Sequence, residues 1–242
     1  MTPADVDATA HAFVDVALDT TVRLDGADGH HLQRVRRVRR DERITLGDGA
    51  GSWRTYRVEA TAPGALDLVA DGPLQAVPRA TPPIILVFAL TKGDGPETVV
   101  ARATELGVDG FEPVLADHGV ARPEPARIAD RLERVAREAA AQSRRAWLPT
   151  IAPLRGLAAA LADAPEAGLV VSAAHGGTPR LPEPDSRGWR LVVGPEGGFS
   201  AAETELLAAH PSVGVGVNVL RAVTAAVAVS AVAATTRIAL AT

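Results

Sequence analysis

The sequence predicts an α/β protein in two parts: a small N-terminal β-barrel or sandwich, followed by a larger α/β sheet domain. Three observations carry this. Between Phe13 and Val77, short β-like runs (VRL, RITL, TYRVEA, LDLVA) are separated by Asp- and Gly-rich turn clusters such as GDGAGS. The segment GPLQAVPRATPP, with four prolines, then has the composition of a linker. Beyond it, continuous apolar runs alternate with amphipathic ones, as in a parallel sheet covered by helices. The boundary falls near residue 80, giving domains of 1–78 and 79–242.

The elements of the second part follow in order. Residues 84–90 form an unbroken apolar run, suited to a strand buried on both faces. Residues 96–106 are predicted helical, with Pro96 at the first position and Gly107 just past the end. A longer helix is expected over residues 125–145, where Ile128, Leu132, Val135 and Ala139 share one face and most of the arginines take the others. Apolar strands at residues 169–171 and 191–193, a short one near 213–217 and a last helix from about Ala222 complete the domain.

Composition narrows the function classes. The apolar content of 47% and charged content of 22% belong to a folded globular chain. The chain has no cysteine, which excludes disulfides, thiolate nucleophiles and thiolate-bound zinc. The first fifteen residues lack a basic region followed by an apolar run, so a cytoplasmic location is expected. Residues 222–234 are too few, and too rich in Ala, Thr and Ser, for a membrane span of ~20 apolar residues. Net charge is −4, but arginines cluster: Arg34, Arg36, Arg37, Arg39, Arg40 and Arg43 in one group, and a second running from Arg127 to Arg145. Local patches of this kind set affinity for phosphates, although the second can also be read as a solvated helix face.

The stretch LVVGPEGGFSAAE, residues 191–203, runs from a buried strand through a glycine-rich loop into a helix, with Ser200 and Glu203 placed for a capping box. Glycines at 194, 197 and 198 allow close backbone approach and positive φ, and the loop falls at the carboxyl end of a strand, where open α/β sheets bind ligands. It has neither the Lys-Ser/Thr of a phosphate loop nor the spacing of a dinucleotide fingerprint. Glycine spacing alone is equally compatible with an ordinary tight turn.

As a whole string, GPEGGFSAAE resembles the signature loop of the knotted SPOUT methyltransferases, and specifically of the RsmE family, which methylates N3 of a uracil in 16S ribosomal RNA. HHLQRVRR, with His31, Val35 and Arg37, resembles a motif of that family's PUA-like N-terminal barrel. LTKGDGPE (90–97), TELGV (104–108), QSRR (142–145) and VLR (219–221) match in the same order. The resemblance implies a trefoil knot in the C-terminal domain, a PUA-like β-barrel before it, and a homodimer acting on 16S ribosomal RNA or the small ribosomal subunit.

It also implies S-adenosylmethionine as methyl donor, without a metal. The donor loops would be the segment after Val171, residues 194–198 and residues 217–224, with Gly194, Glu196, Gly197, Gly198, Leu220 and Thr224 as binding residues. Arg34, Arg37, Arg40 and Arg145 would contact RNA. Arg221 is the candidate catalytic residue, since a nearby guanidinium favours the anion of a weakly acidic imide. The absence of cysteine fits, because methylating a ring nitrogen needs no covalent intermediate.

The chain departs from the family pattern at Ala222 and Val223, where Thr and Glu are usual, and at His118, Arg36 and Ala141. Two further readings therefore stand beside N3-methylation. One is a non-catalytic RNA-binding or ribosome-assembly protein on the same fold. The other is methyl transfer to a ribose 2′-oxygen or another base.

Overall fold

The computed structural model describes residues 1–34, 37–119, 124–162, 168–184 and 186–241, without the side chains of residues 27 and 34. Val35, Arg36 and the Arg34 side chain, all named above, therefore lie outside the described residues. The chain divides into two compact units. Unit 1 is Met1–Arg79 with Arg137–Leu148, and unit 2 is Ala80–Ala136 with Pro149–Thr242.

Unit 1 contains β1 (Ala10–Phe13), β2 (Thr21–Leu24), α1 (Gly26–Arg34), β3 (Arg43–Gly47), β4 (Ser52–Ala62), β5 (Ala65–Ala70) and β6 (Gln75–Ala76). The strands form one sheet in the order β1-β3-β4-β5-β2, with β6 pairing on β4. Among the described residues of this unit, only the β1–β3 pair is parallel. Along β4, Tyr56 and Val58 point inward while Arg57 and Glu59 face solvent, the alternation of a sheet with one buried face. Ala10 of one edge strand and Val22 and Leu24 of the other join Ile44, Leu46, Leu66 and Leu68 in a single core, so the sheet coils around one interior. Leu32 of α1 plugs that interior. Gln33 buckles α1 down, its side-chain amide donating to the carbonyls of Ala62 and Ala65 while its oxygen accepts from Gly64 N–H.

The helix expected over 125–145 ends earlier, as α3 (Pro125–Gln142). Arg144 takes a left-handed φ of 56°, which a continuing helix cannot contain. The chain then becomes a strap that belongs to unit 1. The Arg144 guanidinium donates to the carbonyls of Val6 (2.8 Å) and Ala8, Trp147 Nε1 donates to Val77 O at 2.7 Å, and Leu148 N donates to Gly49 O at 2.9 Å. Beside this strap lies His11, 3% exposed, with Nδ1 2.9 Å from Thr45 Oγ1. Burial holds the His11 pKa down at about 4.

Unit 2 contains β7 (Ile84–Ala89), α2 (Gly95–Glu105), β8 (Gly110–Leu115), the first part of α3, β9 (Thr150–Ile151), β10 (Arg155–Gly156), α4 (Leu157–Ala162), β11 (Leu169–Thr178), β12 (Trp189–Val193), α5 (Ala201–Ala208), β13 (Ser212–Val213) and α6 (Ala222–Leu240). The sheet is wholly parallel, in the order β10-β8-β7-β12-β11-β13, and β9 also pairs with β8.

The apolar run of β7 is explained by its two covered faces. Ile84, Leu86 and Phe88 pack in a cluster with residues of α2, α3 and α6, whereas Val87 and Ala89 pack in another with α4 and Leu207 of α5. Arg190 of β12 is fully buried on the second face. It is held by Glu112 of β8 and by Ala160 O at 3.0 Å, so the charge is compensated where it sits.

Gly107 ends α2 with φ 93°, as its position predicts. By length and composition α6 could cross a membrane, yet Ala226, Val229, Ser230 and Ala233 are buried in the unit 2 core. Arg237 anchors its far end through Asp109 and Gly107 O.

Candidate functional site

Because the strands of unit 2 are parallel, their carboxyl ends lie along one edge. The loops that leave β7, β8, β11 and β12 all start there, which is where α/β sheets bind ligands. A pocket opens at this edge, walled on one side by Ala173, Ala174 and His175 of β11 and on the other by Val215, Gly216, Asn218, Val219 and Leu220, with Ala225 of α6 behind. His175 Nε2 approaches Val217 O at 3.4 Å and ties the two walls together.

The second wall carries unused backbone donors. Among the described residues, the N–H groups from Gly216 to Arg221 donate to nothing within the protein. Residues 216–219 and Arg221 are exposed, so these N–H groups are open to solvent and available to the acceptors of a ligand in the pocket. Small side chains, Ala173, Ala174, Gly216 and Ala225, leave room for a flat ring.

Two of the three expected donor segments thus meet in this pocket: the one after Val171 and the one at 217–224. Leu220 is in the wall. Thr224 is exposed in the first turn of α6, and Arg221 is exposed at its N-cap, with no ion pair from its side chain among the described residues. The third segment, residues 194–198, does not line the pocket. It leaves β12, the strand paired with β11 through Val171 to Leu191 and Ser172 to Val192, and so lies one strand away.

Within that loop, Glu196, Gly197 and Gly198 are exposed and Gly194 is partly covered. The left-handed backbone sits at Gly198, φ 73°, where an added Cβ would meet nothing within 4 Å. At Gly194 a Cβ would fall 3.0 Å from the Phe199 ring, and at Gly197 one would fall 3.3 Å from His118 Cβ. The capping box expected at Ser200 and Glu203 is formed.

Ala173, Ala174, His175, Asn218 and Val219 fall within the expected donor segments without having been named individually, and Val215 and Gly216 lie outside them. Small apolar residues carry no chemical signature, and nothing in the pattern marks His175 or Asn218.

In unit 1, Arg37 is exposed with φ 54°, and Arg40 is exposed with its Nε 3.9 Å from Asp41, a loose surface pair. Arg39 and Arg40 border an open depression with Gln33, Val38 and residues 61–63. Arg145 is partly buried in the strap. Other arginines of the second cluster have structural partners: Arg131 pairs with Glu97, and Arg137 donates to Phe13 O at 2.9 Å.

Residues 79–234 match the model of an RNA methyltransferase domain, and residues 24–71 match that of an RNA methyltransferase PUA domain. A parallel sheet with a pocket at its carboxyl edge, accompanied by a small coiled sheet, is therefore an RNA methyltransferase architecture with a PUA-like domain.

The chain is 36% identical to the ribosomal RNA small subunit methyltransferase E of Mycobacterium bovis over 228 residues, covering 88% of this chain and 87% of the relative. It is 33% identical to that of Synechocystis over 218 residues, covering 86% and 71%. The crystal structure of the enzyme of that name from Neisseria gonorrhoeae, bound to S-adenosylmethionine, superposes with a TM-score of 0.79 at 26% identity, over 92% of this chain and 95% of that one. The chain belongs to the ribosomal RNA small subunit methyltransferase E family.

Proposed function

We propose that this protein transfers the methyl group of S-adenosylmethionine to N3 of a uridine in 16S ribosomal RNA, acting as a homodimer on that RNA or on the small subunit in the cytoplasm. The observation that carries the reading is the pocket between 173–175 and 215–220, with its run of unused backbone N–H groups, in a chain related over most of its length to methyltransferases of this name. The residues present fit the donor. Small apolar walls suit an adenine ring, and backbone N–H groups suit its nitrogen acceptors and the ribose oxygens.

When bound, the donor supplies a methyl group on a positively charged sulfur. The chain's own residues have the remaining work of placing the acceptor in line and favouring its deprotonated form. The exposed Arg221, at the end of the second wall and without a side-chain ion pair among the described residues, is suited to lower the pKa of a uracil imide and stabilise its anion. Gly194, Glu196, Gly197 and Gly198 would bound the donor from the neighbouring strand end, while Leu220 and Thr224 would do so from the second wall. Arg34, Arg37, Arg40 and Arg145 would contact RNA phosphates.

A further chain at α6 would cover what this one leaves bare. Only 22% of the apolar helical window is buried within the chain, and Ile238 and Leu240 are exposed. The knot implied by the sequence resemblance is likewise part of this proposal.

The test is mass spectrometry of ribosomal RNA nucleosides from cells with and without the gene, joined to methyl transfer by the purified protein. Loss of N3-methyluridine in the deletion is the expected result. Ala222 and Val223 open α6 without a polar side chain and favour the non-catalytic reading. Donor binding without transfer to any RNA would establish that reading instead, and loss of a different methylated nucleoside would move the target.

A further inference from the structure

The donor loop is joined to another part of the sheet edge by a ring of hydrogen bonds. Glu203, the last residue of the capping box, is only 6% exposed, and both of its carboxylate oxygens are occupied. Oε2 accepts from Ser200 N at 2.8 Å, which is the local half of the box. Oε1 accepts from Asp117 N at 2.9 Å, a partner 86 residues away in the loop that follows β8. The ring closes through side chains, since Ser200 Oγ donates to Asp117 Oδ2 at 2.6 Å and accepts from Glu203 N at 3.3 Å.

A capping box alone stabilises one helix end. This one also fixes the backbone of Asp117, and the next residue is His118. The His118 side chain is exposed, and its Cβ would be 3.3 Å from a Cβ placed on Gly197. The ring therefore couples Asp117 to the glycine-rich loop after β12, and it sets the backbone and Cβ of His118, whose side chain is exposed, against Gly197.

We propose that Glu203 is a positioning residue that acts through His118, and that His118 contacts the acceptor nucleotide of the RNA. An imidazole can stack on a base and can donate or accept a hydrogen bond, which suits an unstacked nucleotide. Asp117 and Ser200 complete the support. Without the ring, His118 would be free to leave the edge at which the acceptor must meet the methyl group. The assignment rests on the RNA-methyltransferase reading above.

The test is a double-mutant cycle with ribosomal RNA at saturating donor. His118→Ala lowers kcat/KM for RNA about tenfold or more and leaves the donor Kd within about twofold. Glu203→Gln lowers kcat/KM for RNA by a similar factor. The double variant is no worse than His118→Ala alone, because a residue acting only through His118 has nothing left to position. Multiplying losses would overturn the positioning role, and an unchanged kcat/KM in His118→Ala would overturn the contact.

If Glu203→Gln loses its cooperative thermal transition, Asp117→Ala replaces it in the cycle, since it cuts only the side-chain link to Ser200. If the wild-type protein methylates no RNA, the methyltransferase reading fails separately. The contact is then read from RNA affinity: His118→Ala must weaken ribosomal RNA binding about fivefold, and equal affinity rejects it.

Discussion

Two glycine-rich turns that look alike in sequence, GDGAGS at 47–52 and GPEGG at 194–198, differ in what their left-handed glycines face. In the first, Gly49 and Gly51 have φ values of 74° and 99°, and a Cβ on either would fall 2.6 Å from the side chain of Leu148 or Trp147. The turn is closed from above by the strap of unit 1. In the second, Gly198 has almost the same φ, 73°, but a Cβ would meet nothing. The first turn is shaped by a partner within the chain. The second leaves open space at Gly198, while Cβ atoms on Gly194 and Gly197 would come within 3.0 Å of Phe199 and 3.3 Å of His118.

The largest expected effect tests the first turn. Gly51→Val puts a branched side chain at a left-handed φ and against the Trp147 ring and Val77 O, costing about 4 kcal/mol of unit 1 stability in denaturant unfolding. Stability equal to wild type would mean that the strap is not held there.

Gly198→Val is the matching change in the second turn, where space is available and only the backbone objects. It should cost about 1–2 kcal/mol of stability. It should raise the Kd for S-adenosylmethionine in calorimetry roughly a hundredfold, or about 2.7 kcal/mol. Unchanged donor affinity would reduce this loop to an ordinary turn and erase the contrast.

Acid should separate the turns as well. His11 packs beside the start of the first, its ring 3.2 Å from a Cβ placed on Gly47, and its pKa is depressed from 6.5 to about 4. Between those values the unfolded state binds the proton first, so His11's contribution is complete above about pH 6.5 and declines as pH falls towards 4. At pH 5 the loss is ~2 kcal/mol relative to neutral pH. Urea unfolding across this range should show it in the wild type and not in His11→Gln.

The smallest effect concerns the exposed arginines of unit 1. Replacing Arg37 and Arg40 by Gln should lower the slope of log affinity against log salt by about 0.7–0.9 per lost phosphate contact in RNA filter binding, with donor affinity unchanged. An unaltered slope would leave these two residues as solvated charges.

Much of this was legible in the chain itself. The β7 run, the α2 boundaries at Pro96 and Gly107 and the Ser200–Glu203 box were readable because each follows from local rules of periodicity and capping. The short strands β9 and β10 were not, since two residues carry no period, and β8 was passed over, with Glu112 and Pro113 interrupting its apolar run. The helix end at Gln142 was misplaced for a related reason. The residues that follow it continue a basic, helix-compatible pattern, and only contacts with residues 6, 8, 49 and 77 draw the chain into a strap.

By itself, the sequence determined the two-part α/β organisation, the absence of thiol chemistry and the glycine loop after a buried strand, because composition, periodicity and motif order are properties of the chain read locally. Only the tertiary structure decided that residues 137–148 complete unit 1, that residues 173–175 and 215–220 face each other across a pocket, and that Glu203 reaches Asp117. Each of these joins segments dozens of residues apart. Such pairings are fixed by which buried faces and unsatisfied polar groups find one another when the sheet closes, and no local pattern encodes that.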